Sequence, residues 1–172
     1  MSAVTSIVGS PRTPSKTADV ATIFVDQIAR ASGWEARPAI ELAGLATHML
    51  DAGDPELQQA HHEVEASSVI VVASPTYQAT YTGLLKLFLE SLPAGALSAR
   101  VVLPIMLAGT ESHALAVRVH LAPMLEELGA RVIAPLFIHE RKVDQIRDIA
   151  REWWSANGLS LVSVVSLGAR VR

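Results

Sequence analysis

Short apolar, β-branched runs alternate along this chain with stretches of helical periodicity, and that alternation restricts the fold more than any other feature. Residues 3–9 read as a strand. Residues 15–31 read as a helix with Val20, Ile23, Phe24 and Ile28 on one stripe. Residues 34–42 form a weaker strand and residues 43–54 a loop, with Asp54-Pro55 as the cap and first position of a helix over 55–66. Residues 69–73 contain nothing polar, as expected of a central parallel strand covered on both faces. A helix over 82–92 follows, with Leu85, Phe88, Leu89 and Leu92 on one side. Then come a strand over 101–106, a long helix over 112–128 containing Pro123, a strand over 132–138 and a last helix over 143–155. The apolar tail, 159–167, reads as an added edge strand or a segment that docks on another subunit.

Five strands in a chain of 172 residues predict a doubly wound α/β architecture, a five-stranded parallel sheet in the flavodoxin-like order 2-1-3-4-5. Residues 1–172 are expected to form one domain. Half the residues are hydrophobic, enough for a sizeable core. Net charge is −3 without long charged runs, which gives no indication of nucleic-acid or polybasic-membrane binding. The absence of cysteine excludes disulfides, thiolate metal sites and a thiol nucleophile. No apolar run approaches the roughly 20 residues that cross a bilayer, and the N-terminus has no charged-then-apolar leader. A cytoplasmic protein is expected.

The chemistry is carried by the strand ends. The first strand stops at Gly9-Ser10-Pro11-Arg12-Thr13-Pro14-Ser15-Lys16-Thr17 and a helix begins. Strand, hydroxyl-rich turn and helix start make an anion cradle, because backbone N–H groups and the positive end of the helix dipole converge there. Arg12 adds a guanidinium suited to bidentate phosphate recognition. The third strand ends in Ser74-Pro75-Thr76-Tyr77-Gln78-Ala79-Thr80-Tyr81-Thr82-Gly83. In the expected order, these two loops and residues 108–111 share one end of the sheet. Two such loops side by side point to a flat ligand with one phosphate, and FMN matches that description.

These residues resemble the NAD(P)H-dependent FMN reductases of the flavodoxin-like superfamily, most closely the branch that supplies reduced flavin to sulfonate monooxygenases. The resemblance rests on Gly9-Ser10-Pro11-Arg12 with Ser15 and Thr17, on Ser74-Pro75-Thr76-Tyr77 with Tyr81-Thr82-Gly83-Leu84-Leu85-Lys86, and on Gly109-Thr110-Glu111-Ser112-His113. Leu121-Ala122-Pro123-Met124-Leu125 and Leu128-Gly129-Ala130 also match, so it runs over about 3–143. It implies that Ser10, Arg12, Ser15 and Thr17 hold the FMN phosphate. Pro75, Thr76 and Tyr77 would flank the isoalloxazine ring, and Gly109, Thr110 and Glu111 would line its pyrimidine end. NAD(P)H would stack on the open face. Backbone N–H groups near 75–77 and 109–110 would stabilise charge on the reduced ring, so no catalytic acid–base residues and no metal are expected. A homodimer or homotetramer is implied, with the helices that begin at Thr82 and Ser112 at the interface, and a flavin-dependent monooxygenase as a possible partner.

Two positions depart from the family pattern. Ala108-Gly109 stands where Gly-Gly is common, and Val119 takes a slot where the nearest branch has an aromatic residue on a π-bulge. Helix length is preserved, so the bulge is expected to remain without the aromatic stack. Whether flavin is a retained cofactor or a released substrate stays open on these residues. An FMN-bound quinone or azo reductase and a flavin-binding module without reductase activity are the alternatives. Tyr77 reads as a wall of the site, Tyr81 as structural. Glu111 reads equally as a flavin contact or a helix starter. His61-His62-Glu63 reads as an exposed helix face, since adjacent helical residues diverge by about 100° and do not chelate together. Pro123 has no N–H to give the carbonyl of Val119 and is expected to shape the helix.

Overall fold

The computed structural model describes residues 2–169. The strands are β1 (Ala3–Val8), β2 (Glu35–Ala36), β3 (Ile40–Glu41), β4 (Val69–Pro75), β5 (Val101–Ala108), β6 (Arg131–Val132) and β7 (Leu136–His139). The α-helices are α1 (Lys16–Ser32), α2 (Leu42–Leu45), α3 (Pro55–Ala66), α4 (Gly83–Ser91), α5 (Ala122–Glu127) and α6 (Ile146–Ala169). All pairings within the sheet are parallel: β1 lies between β4 and the β2/β3 edge, and β5 between β4 and the β6/β7 edge. With each edge counted as one interrupted strand, this is the expected order 2-1-3-4-5.

Both edges are interrupted beside a proline, but only at Pro135 is the missing N–H one that the ladder needs. A ladder needs an N–H at alternate positions, and proline has none. Arg131 and Ile133 donate to the Arg100 and Val102 carbonyls, which makes 135 the next donor. Glu35 and Arg37 donate to Ser2 and Val4, so the amide of 38 faces away from β1. That edge bows because three residues, 37–39, stand against Thr5 and Ser6. On one side Arg37-Pro38-Ala39 bows out between β2 and β3, and the buried hydroxyl of Thr5 on β1 donates to the Pro38 carbonyl at 2.7 Å. On the other side Ile133-Ala134-Pro135 bows out between β6 and β7, and the Trp153 indole N–H donates to the Ala134 carbonyl at 3.4 Å. Pro104, in the middle of β5, lies opposite this second gap, with neighbours paired at 101–102 and again at 105–108. Broken edges also offer less ladder to a stray strand.

The unbroken apolar run of β4 is explained by two cores. Val69, Val71 and Ala73 face α1 and α6 together with Phe24, Ile28 and Trp153. Ile70 and Val72 face α3 and α4 with Val64, Leu85 and Phe88. Side chains alternate between faces with period two, and both faces are dry.

The tail departs from expectation. It is neither a strand nor a separate segment, because α6 continues through it to Ala169. Ile146, Ala150, Trp153, Leu161 and Val165 make one buried stripe at helical spacing against α1. The helix runs well past the expected end at 155, and Gly158 sits inside it. A Cβ there would lie 2.7 Å from the Trp154 ring, so the missing side chain makes room for the indole one turn earlier. His61 is a second departure. It is 5% exposed rather than on an open face, packs on Phe88, and has Nε2 2.9 Å from Ser91 Oγ. Its Nδ1 has no partner, and burial pushes its pKa down. The described residues contain no group of side chains that could hold a metal and no helix long and apolar enough to cross a membrane.

Candidate functional site

The carboxyl ends of β1, β4 and β5 are adjacent in the sheet, so the loops that follow them come together. In the first loop Ser15 is extended (φ −145°, ψ 147°), and its Oγ accepts the Ala18 N–H at 3.1 Å. That is an N-cap, which ends the loop and starts α1. The first-turn amides of Lys16 and Thr17 have no intrahelical carbonyl to bond, and they mark the positive end of the helix dipole. Ser10 and Thr17 are buried. Ser10 Oγ accepts the Arg12 N–H at 3.2 Å and donates to the Arg12 carbonyl at 3.0 Å, curling the loop on itself. The Arg12 side chain is exposed and takes part in none of the ion pairs among the described residues. Thr13 Oγ1 donates to Glu41 Oε2 at 2.9 Å and ties the loop to the end of β3.

In the second loop the Thr76 N–H donates to the Leu107 carbonyl at 2.7 Å, prolonging the β4–β5 ladder beyond Pro75. Tyr77 and Thr80 exchange N–H···O bonds of 2.8 and 3.1 Å across a two-residue turn. Gln78 (φ 49°) and Ala79 (φ 66°) are both left-handed, a pair of conformations that glycine or asparagine normally supplies. The turn therefore holds strain of about 1–3 kcal/mol per residue, at a position next to the ligand loops. Tyr77 is 43% exposed, while Tyr81 is half-buried against the α3–α4 core, in keeping with its structural reading. Thr76 Oγ1 is shut off from solvent and has no hydrogen-bond partner in the protein.

The first two loops are joined by buried hydroxyls. Thr82 Oγ1 donates to the Gly9 carbonyl at 2.6 Å and accepts the Leu85 N–H at 3.1 Å. The Thr82 N–H donates to Ser74 Oγ at 3.1 Å, and Ser74 Oγ donates to the Pro75 carbonyl at 2.9 Å. Gly9 is wedged between the strand and α4: its N–H bonds the Ala73 carbonyl at 2.7 Å, and an added Cβ would meet Leu85 Cβ at 3.0 Å.

The third loop is looser. Gly109, Thr110 and Glu111 are all exposed. Thr110 Oγ1 accepts the Ser112 N–H at 3.3 Å and starts a 3-10 turn, Glu111–His113, so Glu111 stands in the first turn of a helix. A π-turn follows over Val117–Leu121, in which the Ala122 N–H reaches five residues back to the Val117 carbonyl. Pro123 follows Ala122, in the first turn of α5. The expected bulge is present, and Val119 is 56% exposed upon it.

The ten predicted residues thus lie on three neighbouring strand-end loops. Sequence reasoning missed Ser74 and Thr82 as the link between two of them, because a hydroxyl at a helix start reads as a cap and nothing more. The last strand runs one residue past its expected end, to His139, which pairs in register with Ala108 and whose Nδ1 accepts the Arg141 N–H at 3.3 Å as the cap of the next turn.

The family model described as NADPH-dependent FMN reductase matches residues 2–144. The FMN reductase (NADPH) of Escherichia coli (strain K12) is 40% identical over 79 residues, 46% of this chain and 41% of that relative. The match therefore spans about two fifths of that relative's length. The FMN reductase (NADPH) of Pseudomonas aeruginosa is 28% identical over 146 residues, 82% of this chain and 77% of that relative. Among solved structures, an NADH:FMN oxidoreductase in its apo form superposes with a TM-score of 0.79 at 26% identity, covering 91% of this chain and 90% of that one. A flavodoxin from the domain Archaea superposes at 0.60 with 16% identity over 87% of this chain and 94% of that one, which shows the shared fold.

Proposed function

The chain belongs to the NADPH-dependent FMN reductase family, and on that premise we propose that it transfers hydride from NAD(P)H to FMN, with residues 1–172 acting as one FMN-binding domain. The carrying observation is the pair of laced loops at the ends of β1 and β4, with an unpaired guanidinium on one and an unpartnered hydroxyl on the other. The residues fit the cofactor. Arg12, the Ser15 hydroxyl hydrogen and the Lys16 and Thr17 amides offer donors to a phosphate dianion. A buried hydroxyl without a partner costs about 1–3 kcal/mol, and a ligand group at the second loop would relieve Thr76.

The chemistry that FMN supplies when bound is acceptance of a hydride from the nicotinamide. The protein's part is to bind and orient. Arg12, Ser15 and Thr17 would hold the phosphate end, and Ser10, whose hydroxyl is tied to the Arg12 backbone, would hold it by curling the loop. Pro75, Thr76 and Tyr77 would wall the ring, and amides near Gly109 and Thr110 would stabilise the end where negative charge gathers. Glu111 starts the turn that presents them.

The same proposal has reduced flavin leaving for a partner monooxygenase. Support comes from the open third loop, where no side chain of Gly109, Thr110 or Glu111 is buried, and from Val119 in place of an aromatic side chain. Leu115 (66% exposed) and Val119 lie four residues apart on the segment leading into α5, an apolar stripe suited to a second copy in a homodimer or homotetramer. The setting proposed is the cytoplasm, where NAD(P)H is supplied.

The test is the absorbance of the purified protein with one equivalent of FMN, before and after anaerobic NADPH or NADH. Bleaching followed by passage of reduced flavin through a filter that retains the protein is expected. Bleaching with all flavin retained would turn the reading to a quinone or azo reductase. Binding without bleaching by either nicotinamide would leave a flavin-binding module.

A further inference from the structure

We infer that Thr82 is a positioning residue that couples the two ends of the flavin site, an inference that rests on the FMN reading above. Thr82 is 2% exposed and Ser74 is 0% exposed, so their bonds are not exchanged with water. Capping α4 requires only an acceptor for the Leu85 N–H, a task that asparagine or aspartate performs as well as threonine. Thr82 does more. Its hydroxyl hydrogen goes to the carbonyl of Gly9, 73 residues earlier, at the last position before the anion loop. Its amide goes to Ser74, whose hydroxyl hydrogen goes on to Pro75, the first residue of the ring loop's wall. The chain of bonds therefore runs from the root of the phosphate loop to the root of the ring loop.

The surrounding contacts leave it little slack. The Gly9 N–H is held by Ala73, and the space beside its Cα is closed by Leu85. Moving one loop against the other would leave the Gly9 carbonyl buried without a donor. The two loops consequently shift together, and the phosphate contacts pre-align the ring contacts. A ligand with both ends gains from that alignment, and one that lacks the phosphate does not.

Flavin fluorescence titration with FMN and with riboflavin reads this directly, because only FMN engages both loops. In the unaltered protein FMN binds more tightly than riboflavin. Thr82→Val, which keeps the shape and removes both hydroxyl bonds, should shrink the ratio of the two dissociation constants about tenfold. Ser74→Ala leaves the cap of α4 in place and should shrink the ratio about threefold, which decides the matter if the valine protein does not fold. Thr82→Ser should restore the ratio. A cap with no coupling role predicts the opposite pattern, equal losses for both ligands or no loss. An unchanged ratio in both the valine and alanine proteins would overturn the coupling while leaving the flavin reading intact. An unaltered protein that bound neither ligand would overturn the reading and the coupling with it.

Discussion

The loops after β1 and β4 and the loop after β5 end at the same rim of the sheet, but they are built in opposite ways. The first pair is laced by buried hydroxyls and wedged against α4, with Ser74, Thr82, Gly9 and Ser10 all out of solvent. The third is exposed at Gly109, Thr110 and Glu111 and is held by local bonds only, from Thr110 Oγ1 to the Ser112 N–H and hydroxyl and within the 3-10 turn. The contrast assigns them different work. A charged, directional contact needs a rigid cradle, since the donors must already point at the anion before it arrives. The rim that a second substrate must enter and leave is made of weakly held backbone, the part of a fold that opens at least cost.

Removing the charge from the rigid side should have the largest effect. Arg12→Ala is expected to weaken FMN by about 1.5–3 kcal/mol, the range for a charged hydrogen bond. Thermal stability should hardly change, because the exposed Arg12 side chain makes no hydrogen bond or ion pair among the described residues of the free protein and its backbone bonds to Ser10 survive the change. Calorimetric titration and a melting curve of one preparation check both halves. Equal FMN affinity in the variant would remove the phosphate role from the first loop.

Two glycine substitutions sharpen the comparison. Gly9→Ala forces a Cβ to 3.0 Å from Leu85 and 3.3 Å from the Ala73 carbonyl. It should cost about 1–3 kcal/mol, or a few degrees of melting temperature. Gly109→Ala meets nothing within 4 Å and needs no left-handed backbone, so its cost should stay within about 0.5 kcal/mol. Chemical denaturation of the two proteins compares them, and similar losses would mean that the third loop is as rigid as the first. Thr110→Ala should likewise cost no more than about 0.5–1 kcal/mol, the lower part of the range for a lost cap.

The smallest effect is one of pH. The rigid side rests on α4, which is anchored at its far end by the His61–Ser91 bond. Burial lowers the pKa of His61 below 6.5, so the unfolded chain takes up a proton more readily than the folded one. The stability that neutral His61 contributes is fully present above its unfolded pKa of about 6.5 and is lost as the pH falls through the folded value. His48 runs the other way. Its hydrogen bond to Asp54 raises its pKa, and its contribution, full below about 6.5, is lost as the pH rises through the folded value. In melting curves from pH 7 to 5, His61→Gln should flatten the acid-side decline, and His48→Gln should steepen it. A decline unaltered by His61→Gln would show that the imidazole is protonated without difficulty in the folded state.

Much of this was legible before the structure. The apolar run of β4 reads as a doubly covered strand and Asp54-Pro55 as a helix start, and both are found: Asp54 Oδ1 accepts from the Glu56 and Leu57 amides at 2.8 and 3.3 Å. That the ten candidate site residues would fall at three neighbouring strand ends was legible because strand ends and helix starts are marked locally; their roles toward a flavin came from the family resemblance and remain a proposal. What failed was whatever depended on a distant partner. The two edge strands looked continuous, since a proline's effect on a ladder depends on what lies opposite. The tail read as an edge strand or a docking segment because β-branched residues favour strands locally and no partner was in view, and the buried stripe against α1 overrode that preference. His61 looked exposed because nothing local announces Phe88 and Ser91 across from it.

The sequence by itself determined the alternation of elements, the parallel sheet they had to form, and the residue types offered at each strand end, because period and turn chemistry act over a few residues. Only the tertiary structure decided which hydroxyls became buried links and which stayed caps. Whether a threonine's hydrogen is free or given to a carbonyl 73 residues away is a matter of packing, and packing is not written in any one segment.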